Sequence, residues 1–280
     1  MRILLQALLH ERTITFEEKA TIRDHFSGML AFFGAPLTVE TTGNEELDEL
    51  ARRMARLQGQ KMERKVLTSL APCKMLTGKE LFIPGDPTEA AALALLASFL
   101  PDSDIVIRSV GLNPSRSGVF NALKRMGANL EIFQKRERYG DQFGSLRVQS
   151  CKRPMGRKFA GELLMTCIEE VPLLAVAASL ADGETILRLP EHIALKEHDL
   201  LNVLAQNLKR AGVEVGVYEE GLVVRGREEV DANQFDSQEI PSVGLALAVL
   251  ARAAHGQSAI TGIDCVPPIF PDILSKLGAE

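Results

Sequence analysis

The stretch LRLPEHIALKEHDLLNVL, residues 187–204, places a group of ionisable side chains between two apolar runs. The group comprises His192, Lys196, Glu197, His198 and Asp199. A carboxylate beside a lysine or histidine is a combination that general acid–base catalysis uses. Acidic residues are also typical of a helix start, where they cap backbone amides and complement the helix dipole. The residues alone therefore allow a catalytic cluster or the polar start of a surface helix whose histidines face solvent.

The overall composition is typical of a soluble protein. The 280 residues are 46% hydrophobic and 25% charged, which fits one large domain or two ordinary ones. The longest apolar runs, such as AAALALLASFL, reach about half of a membrane span, and no signal-peptide pattern opens the chain. Trp is absent and Tyr occurs twice, which leaves little surface for stacking nucleic-acid bases. We therefore expect a cytoplasmic protein without a membrane or nucleic-acid partner.

The cysteines and the charge distribution argue against metal binding and against anion binding in the C-terminal part. Cys73, Cys151, Cys167 and Cys265 are widely spaced, with no C-x-x-C motif, and are predicted to be reduced thiols. Residues 169–280 hold 8 Lys and Arg against 18 Asp and Glu, whereas residues 1–168 hold 24 against 19. The C-terminal part is therefore predicted to attract phosphates and carboxylates poorly.

A repeated pattern of predicted helices and strands runs along the chain and includes the ionisable residues of 187–204. Amphipathic helical patterns end at Gly34, Gly127, Gly212 and Gly278, and the first three lead directly into a β-branched run. Each pattern is preceded by a run rich in Ala and Leu, which predicts a buried helix, although the run near Met1 is weaker. The repeat therefore reads as buried helix, strand, loop, amphipathic helix, Gly and strand, in copies that begin near Met1, Thr88, Val171 and Pro241.

The join between the first two copies has its own signals. A charged stretch over residues 42–65 predicts a solvated helix, and the Pro-Gly-Asp turn near Pro84 predicts a boundary. Asp86 or Thr88 is expected to cap the helix that follows.

Six stretches carry a resemblance to a known family. They are IRDHFSGMLAFFGA, IPGDPTEAA, VGLNPSRSGVFNALKRMGANLEI, IEEVPLLAVAASLADGETILR, ALKEHDLLNVLAQNLKRAGVEV and CVPPIFPDILSKLG. In this order they resemble the enolpyruvyl transferase family, and within it the EPSP synthases, from about Met1 to the end of the chain.

The resemblance implies an α/β (α+β) fold of repeated βαβαββ units arranged as an inside-out α/β barrel. Residues 84–280 would form one nearly complete three-unit domain, and residues 1–83 the last unit of the family's substrate-binding domain with a charged insertion. On this interpretation the chain lacks roughly the N-terminal third of a family member.

The resemblance also implies a reaction and its site. Family members transfer the enolpyruvyl group of phosphoenolpyruvate to the 5-hydroxyl of shikimate 3-phosphate in aromatic amino-acid biosynthesis, without a cofactor or metal. Glu169, one methylene longer than the family's Asp, and Glu197 match the acid–base positions. Lys196, Arg23 and Arg116 are the candidate substrate-binding residues, although an arginine in a loop more commonly bonds to backbone carbonyls.

The family's other cations are replaced in this chain. The Arg of the K-E-S-D-R motif falls on Leu200, the Arg of D-H-R falls on Ser242 after Ile240 and Pro241, and the Lys of C-V-x-K-S-F-P falls on Pro268. We call these three family positions the cationic clamp. Each missing ion contact in a partly desolvated site costs on the order of a few kcal/mol. The chain is therefore expected to be inactive by itself.

Two classes of function remain open at this stage. The chain could be an enolpyruvyl transferase that a separate polypeptide completes, with replacement cations such as Arg116, Lys124 or Arg188 near its carboxylates. It could instead be a non-catalytic binding or structural protein that keeps the fold, exposes an apolar surface and self-associates. A start codon that differs from the natural one would also fit the first copy.

Overall fold

The computed structural model describes residues 2–19, 24–41 and 65–279. The solvated helix predicted over residues 42–65 lies almost entirely outside these ranges and stays a prediction. The helices are α1 Arg2–Leu9, α2 His25–Phe32, α3 Pro87–Phe99, α4 Gly118–Met126, α5 Glu162–Met165, α6 Val171–Ser179, α7 Glu191–Lys196, α8 His198–Arg210, α9 Pro241–Ala253 and α10 Ile273–Leu277. Short 3₁₀ turns cover Ile168–Glu170 and Ile263–Cys265.

The strands confirm the mixed α/β fold. They are β1 Ile14–Lys19, β2 Leu37–Thr41, β3 Lys65–Leu70, β4 Asp104–Gly111, β5 Asn129–Arg138, β6 Asp141–Gln149, β7 Lys158–Ala160, β8 Glu184–Arg188, β9 Glu214–Tyr218, β10 Gly221–Arg225, β11 Gln234–Asp236 and β12 Ala259–Thr261. The repeat predicts a strand between α1 and α2, where β1 lies, but the sequence patterns do not indicate β3, β7 or β11. The last two are three-residue strands that pair in parallel with β8 and β12, so their pairing rather than their composition defines them.

The chain divides into two compact units. The first comprises Met1–Ile83 with Glu137–Asp141, and the second comprises Pro84–Arg136 with Gln142–Glu280. In the first unit, β1, β3 and β2 form an antiparallel sheet in that order. Its small core is formed by Leu4, Ala7, Leu30, Ala35 and Leu70.

Helix α1 differs from the buried helix that the sequence suggested. Only Leu4 and Ala7 of this helix are buried, while Ile3 is 48%, Leu5 42% and Leu9 80% exposed. The apolar composition of α1 therefore does not translate into burial within the described part of the chain.

The second compact unit has three Ala- and Leu-rich helices at its centre. Helices α3, α6 and α9 come from successive copies of the repeat and pack against one another. Every residue of α6 is buried, as expected for a helix that is apolar on all sides. Around them lie the sheets β4-β6-β5, β7-β8-β10-β9 and β11-β12. These three helices are thus internal. The described strands form separate sheets, and no closed barrel is seen among them.

Two local signals in the sequence are confirmed. Gly34, Gly127, Gly212 and Gly278 all have positive φ, between 68° and 99°, at or just after a helix end. Asp86 is the N-cap of α3, and its Oδ1 accepts hydrogen bonds from the backbone N–H groups of Thr88 (2.7 Å) and Glu89 (3.1 Å). The cap leaves the Thr88 hydroxyl free to reach a different partner. Among the described residues, no helix is both long and apolar enough to cross a membrane.

Candidate active site

A pocket of about 120 Å³ in the second compact unit brings two of the predicted residues together. Its lining consists of Ile168, Glu169, Val171, Pro172, Leu189, Glu197, Leu200, Leu201 and Ser242. We call it the Glu169–Glu197 pocket. Its walls are mostly apolar, and the two carboxylates and one hydroxyl are its polar side chains. Sequence reasoning placed Glu169 and Glu197 at one site, and the fold gathers them around one cavity.

Each carboxylate is placed by the start of a helix. Glu169 lies in the 3₁₀ turn Ile168–Glu170, which leads into α6, and Pro172 occupies the first turn of that helix. Proline is tolerated there because the first helical N–H groups have no intrahelical partner. Glu197 lies between two helices: it is the C-cap of α7 and the N-cap of α8. The stretch is therefore a helix start, and its Glu197 also lines a pocket.

The buried guanidinium of Arg116 forms an ion pair with Glu169. Arg116 Nη2 donates to Glu169 Oε2 at 2.6 Å and to Thr88 Oγ1 at 2.6 Å. Arg116 Nη1 donates to Glu170 Oε1, which also accepts from the Thr88 hydroxyl at 2.5 Å. The side chain of Glu170 is completely buried, whereas that of Glu169 is 49% exposed. The guanidinium therefore connects a buried carboxyl group to one that faces the pocket.

The electrostatics of this network follow from its burial. Burial raises the pKa of Glu170, and Arg116 and Thr88 offset only part of that rise. Burial alone would lower the pKa of Arg116, but the carboxyl groups of Glu170, Glu169 and Asp86 together outweigh it and the pKa is raised. Burial also raises the pKa of the neighbouring Cys167 to about 12, with Glu170 adding to the effect. A guanidinium so placed stays charged and is already engaged by carboxyl groups.

Arg116 thus bonds to side chains rather than to the backbone carbonyls that are usual for an arginine in a loop. Its substrate-binding role stays a prediction. The sequence does not predict Glu170 as a site residue and predicts Thr88 only as a possible helix cap, although both lie inside the quoted motifs. The sequence carries no signal for this burial, because a glutamate is almost never fully buried unless it is paired, and the partners of Glu170 are distant in the chain.

Three other residues of the KEHDL stretch, Lys196, His198 and Asp199, face solvent. Lys196 is 78% exposed and its Nζ lies 3.8 Å from Glu197 Oε1. Asp199 is fully exposed, and His198, which is also exposed, lies 3.9 Å from it. None of these three lines the Glu169–Glu197 pocket. Arg23 and the side chain of His192 lie outside the described residues, so their roles stay predictions.

Two positions of the cationic clamp do line the pocket. Leu200 and Ser242 stand where the family resemblance puts arginines, and both contribute to the wall. Pro268 is exposed. Lys124 and Arg188 are not among the residues that line the pocket, and Arg188 is paired with Glu220. In the described part of the chain, no three His, Cys, Asp or Glu side chains are grouped as a metal site.

Comparisons with known proteins point in one direction. The family model for EPSP synthase (3-phosphoshikimate 1-carboxyvinyltransferase) matches residues 1–277. The 3-phosphoshikimate 1-carboxyvinyltransferase of Synechococcus sp. (strain JA-3-3Ab) is 36% identical over 98% of the chain and 57% of its own length. That of Desulforamulus reducens is 31% identical over 99% of the chain and 60% of its own length. The chain therefore spans less than two thirds of these relatives.

Solved structures give the same result for the fold. EPSP synthase from Acinetobacter baumannii matches with a TM-score of 0.80 and 25% identity, over 99% of this chain and 58% of that one. The enolpyruvyl transferase NikO from Streptomyces tendae matches with a TM-score of 0.62 and 16% identity, which shows likeness of fold alone, over 96% of this chain and 57% of that one.

Proposed function

This chain belongs to the EPSP synthase family, and from that premise we propose that it keeps the acid–base half of an enolpyruvyl transferase site without the cationic half. The family reaction moves the enolpyruvyl group of phosphoenolpyruvate to the 5-hydroxyl of shikimate 3-phosphate and releases phosphate. We propose that the chain does not catalyse this reaction by itself.

The lining of the Glu169–Glu197 pocket carries the proposal. Addition of a hydroxyl to phosphoenolpyruvate and loss of phosphate require proton transfer, for which Glu169 and Glu197 are the available groups. The same reaction requires cations for a carboxylate and a phosphate, and among the residues that the structure describes no Lys, Arg or His lines this pocket. Leu200 and Ser242 occupy the wall instead.

The energetic consequence is large. A charge-assisted hydrogen bond contributes roughly 1.5–3 kcal/mol, and several are made together to each anionic group of a phosphorylated substrate. Arg116 does not substitute for the missing cations, because Glu170, Glu169 and Thr88 engage its guanidinium. Loss of three such contacts lowers affinity and turnover by several orders of magnitude.

The domain assignment is part of the same proposal. Residues 84–280 correspond to one nearly complete domain of the family, and residues 1–83 to the last unit of its substrate-binding domain with a charged insertion. Support comes from the three mutually packed helices α3, α6 and α9 and from the likeness of the fold to EPSP synthase.

A second candidate function, a fold that binds a protein partner, is favoured by helix α1. Its repeat position matches that of α3, α6 and α9, yet Ile3, Leu5 and Leu9 are exposed. Such a surface would be covered by further copies of the repeat in a complementing polypeptide, or by a second copy of the chain. Sedimentation of the purified chain over a hundredfold concentration range, with Leu5→Glu and Leu9→Glu as comparison variants, tests the self-association.

The catalytic proposal is tested by phosphate release from phosphoenolpyruvate and shikimate 3-phosphate at high protein concentration, beside an active EPSP synthase as positive control. We expect no release above the protein-free rate. Release that Glu197→Gln abolishes would refute the proposal, because it would show that a working site exists. Release that survives Glu197→Gln would indicate a contaminating enzyme, and the assay would be repeated on protein from a host lacking its own EPSP synthase.

A further inference from the structure

The charge and the shape of the Glu169–Glu197 pocket fit a ligand opposite in charge to phosphoenolpyruvate. Six of its lining residues are apolar: Ile168, Val171, Pro172, Leu189, Leu200 and Leu201. The remaining three are Glu169, Glu197 and Ser242. The two carboxylates accept hydrogen bonds, and the Ser242 hydroxyl is a neutral group that can donate one. An anion placed in this cavity would lose its water and meet two carboxylates.

The nearby cations do not reverse this balance. Arg116 is one positive charge among three carboxyl groups, because it contacts Glu170 and Glu169 and lies 3.9 Å from Asp86. Even with Glu170 neutral, Asp86 and Glu169 outnumber the guanidinium. Lys196 is 78% exposed and at most balances Glu197, from which its Nζ is 3.8 Å away. The surroundings of the cavity are therefore net negative.

We propose that this pocket binds a small organic cation, of the primary alkylammonium class, with its alkyl part against the apolar wall and its ammonium group between Glu169 and Glu197. The inference rests on the proposed function, since it requires that phosphoenolpyruvate does not occupy the site. An ammonium group supplies three N–H donors, and the two carboxylates accept them.

The volume sets the size of the ligand. A cavity of about 150 Å³ lined by apolar side chains holds benzene in another protein. The 120 Å³ here therefore suits roughly four to six non-hydrogen atoms. Butylammonium has five, and 1-butanol and butyrate are close to it in size. These three compounds differ mainly in charge, so they separate a charge preference from simple hydrophobic binding.

The test is equilibrium binding of butylammonium, 1-butanol, butyrate and phosphoenolpyruvate to the full chain, followed by methyl NMR of the Leu and Ile side chains. We expect butylammonium to bind at least about tenfold more tightly than 1-butanol or butyrate, with shifts at Leu200 and Leu201. Glu169→Gln and Glu197→Gln should each remove most of that preference. Glu214→Gln, a change at an exposed residue outside the pocket lining, should leave it unchanged.

Several outcomes would overturn this inference, and they are distinguishable from failure of the proposed function. Equal binding of butylammonium and 1-butanol, or no binding of any compound, would overturn this inference and leave the proposed function intact. A preference that persists in both Gln variants would also overturn it, because the cation would then bind elsewhere. Tighter binding of phosphoenolpyruvate than of butylammonium would overturn the inference, and phosphate release in the separate assay would overturn the proposed function as well.

Discussion

Arg116 Nη2 lies 2.6 Å from Glu169 Oε2, and through this contact a buried cation reaches the wall of the pocket without lining it. The same guanidinium contacts Glu170, whose side chain is completely buried. Glu169 and Glu170 are neighbours of identical type, yet one faces the pocket and the other faces the core. The arginine makes the buried position of Glu170 compatible with folding, because an unpaired buried carboxylate is costly.

Replacement of Arg116 by Met should therefore destabilise the chain strongly. Removing one partner of a buried ion pair costs roughly 3–5 kcal/mol, and here the carboxyl group of Glu170 would be left buried without its cation. Chemical denaturation measures the loss as a shift in midpoint. Arg147→Met is the matched control: Arg147 pairs with Asp104 at 2.6 Å, but both side chains are more than 40% exposed, so a much smaller loss is expected.

A double variant separates charge from packing in this network. Arg116→Met combined with Glu170→Leu removes both charges and leaves apolar groups of similar length, which is often close to neutral for buried pairs. We expect the double variant to be more stable than Arg116→Met alone, by at least about 1 kcal/mol. A double variant as unstable as the sum of its single changes would contradict the pairing inferred from the geometry.

Loss of the Asp86 cap should weaken helix α3. Asp86 Oδ1 accepts from the N–H groups of Thr88 and Glu89, and an N-cap replaced by Ala typically costs about 1 kcal/mol. Asp86→Asn keeps the acceptor oxygen and removes the charge, so it should lose only a fraction of that amount. Denaturation of Asp86→Ala and Asp86→Asn side by side measures the cap. Equal losses would mean that the charge, rather than the cap, stabilises this helix.

The sequence predicted the parts of the fold that depend on local composition. Helices α3, α6 and α9 are apolar on nearly every side, and only a buried position suits such a helix in water. Gly127 and Gly212 follow amphipathic patterns, where a left-handed residue ends a helix. Helix α1 carries the same kind of pattern but remains partly exposed, because burial depends on neighbours that composition does not specify.

The candidate site was predictable only in outline. Glu169 and Glu197 were placed together by their motifs, and the pocket includes both. Which of Glu169 and Glu170 would be buried was not predictable, since Thr88 and Arg116 decide it from positions more than 50 residues away in the chain. The loss of the cationic clamp was visible in the sequence as Leu200 and Ser242, but only the fold shows that both of them line one cavity.

Cys167 should make stability fall at high pH. Its pKa is raised from 9.0 to about 12 in the folded chain, mainly by burial. A thiol with a raised folded pKa stabilises the fold below the unfolded value and loses that contribution as pH rises toward 12. Between pH 9 and 12 the free energy of unfolding should fall by up to about 1.4 kcal/mol per pH unit from this group.

Cys167→Ala isolates that contribution. The variant should show a shallower decline of stability between pH 9 and 12 than the parent chain. Because burial raises the pKa of Cys167 to about 12, little of this thiol is ionised at pH 9, so a thiol-directed reagent should modify it far more slowly in the folded chain than in the unfolded chain. Rapid modification of Cys167 in the folded chain would show that the thiol is less buried than the structure indicates.

Gly118 closes the GLNPSRSG loop against a neighbouring turn, and this predicts a coupled substitution. A Cβ at this position would clash with Oγ1 of Thr166 and would lie 2.9 Å from the carbonyl oxygen of Leu163. Gly118→Ala should cost roughly 1–3 kcal/mol through overpacking. Gly127→Ala meets no atom within 4 Å, so its cost arises only from a φ of 99°.

The two glycine variants therefore differ in their response to a third change. Thr166→Ala removes Oγ1, the atom that the new Cβ of Gly118→Ala would meet first, so the combined loss should be smaller than the sum by about 0.5 kcal/mol or more. With Gly127→Ala, Thr166→Ala should be additive. Thermal unfolding of the single and double variants gives both comparisons, and additivity in both pairs would be evidence against the contact.

Restoring an arginine at Leu200 should change which ligands the pocket accepts. Leu200 lines the cavity with Glu169 and Glu197, so an arginine there adds a cation within reach of both carboxylates and of a bound anion. One charge-assisted contact contributes roughly 1.5–3 kcal/mol, which corresponds to about 10- to 100-fold tighter binding of phosphoenolpyruvate.

Leu200→Met, which keeps the volume and adds no charge, is the control. Titration of both variants should show the gain only for arginine, with Ser242→Arg adding to it. Equal affinities in Leu200→Arg and Leu200→Met would show that the loss of this cation does not limit anion binding.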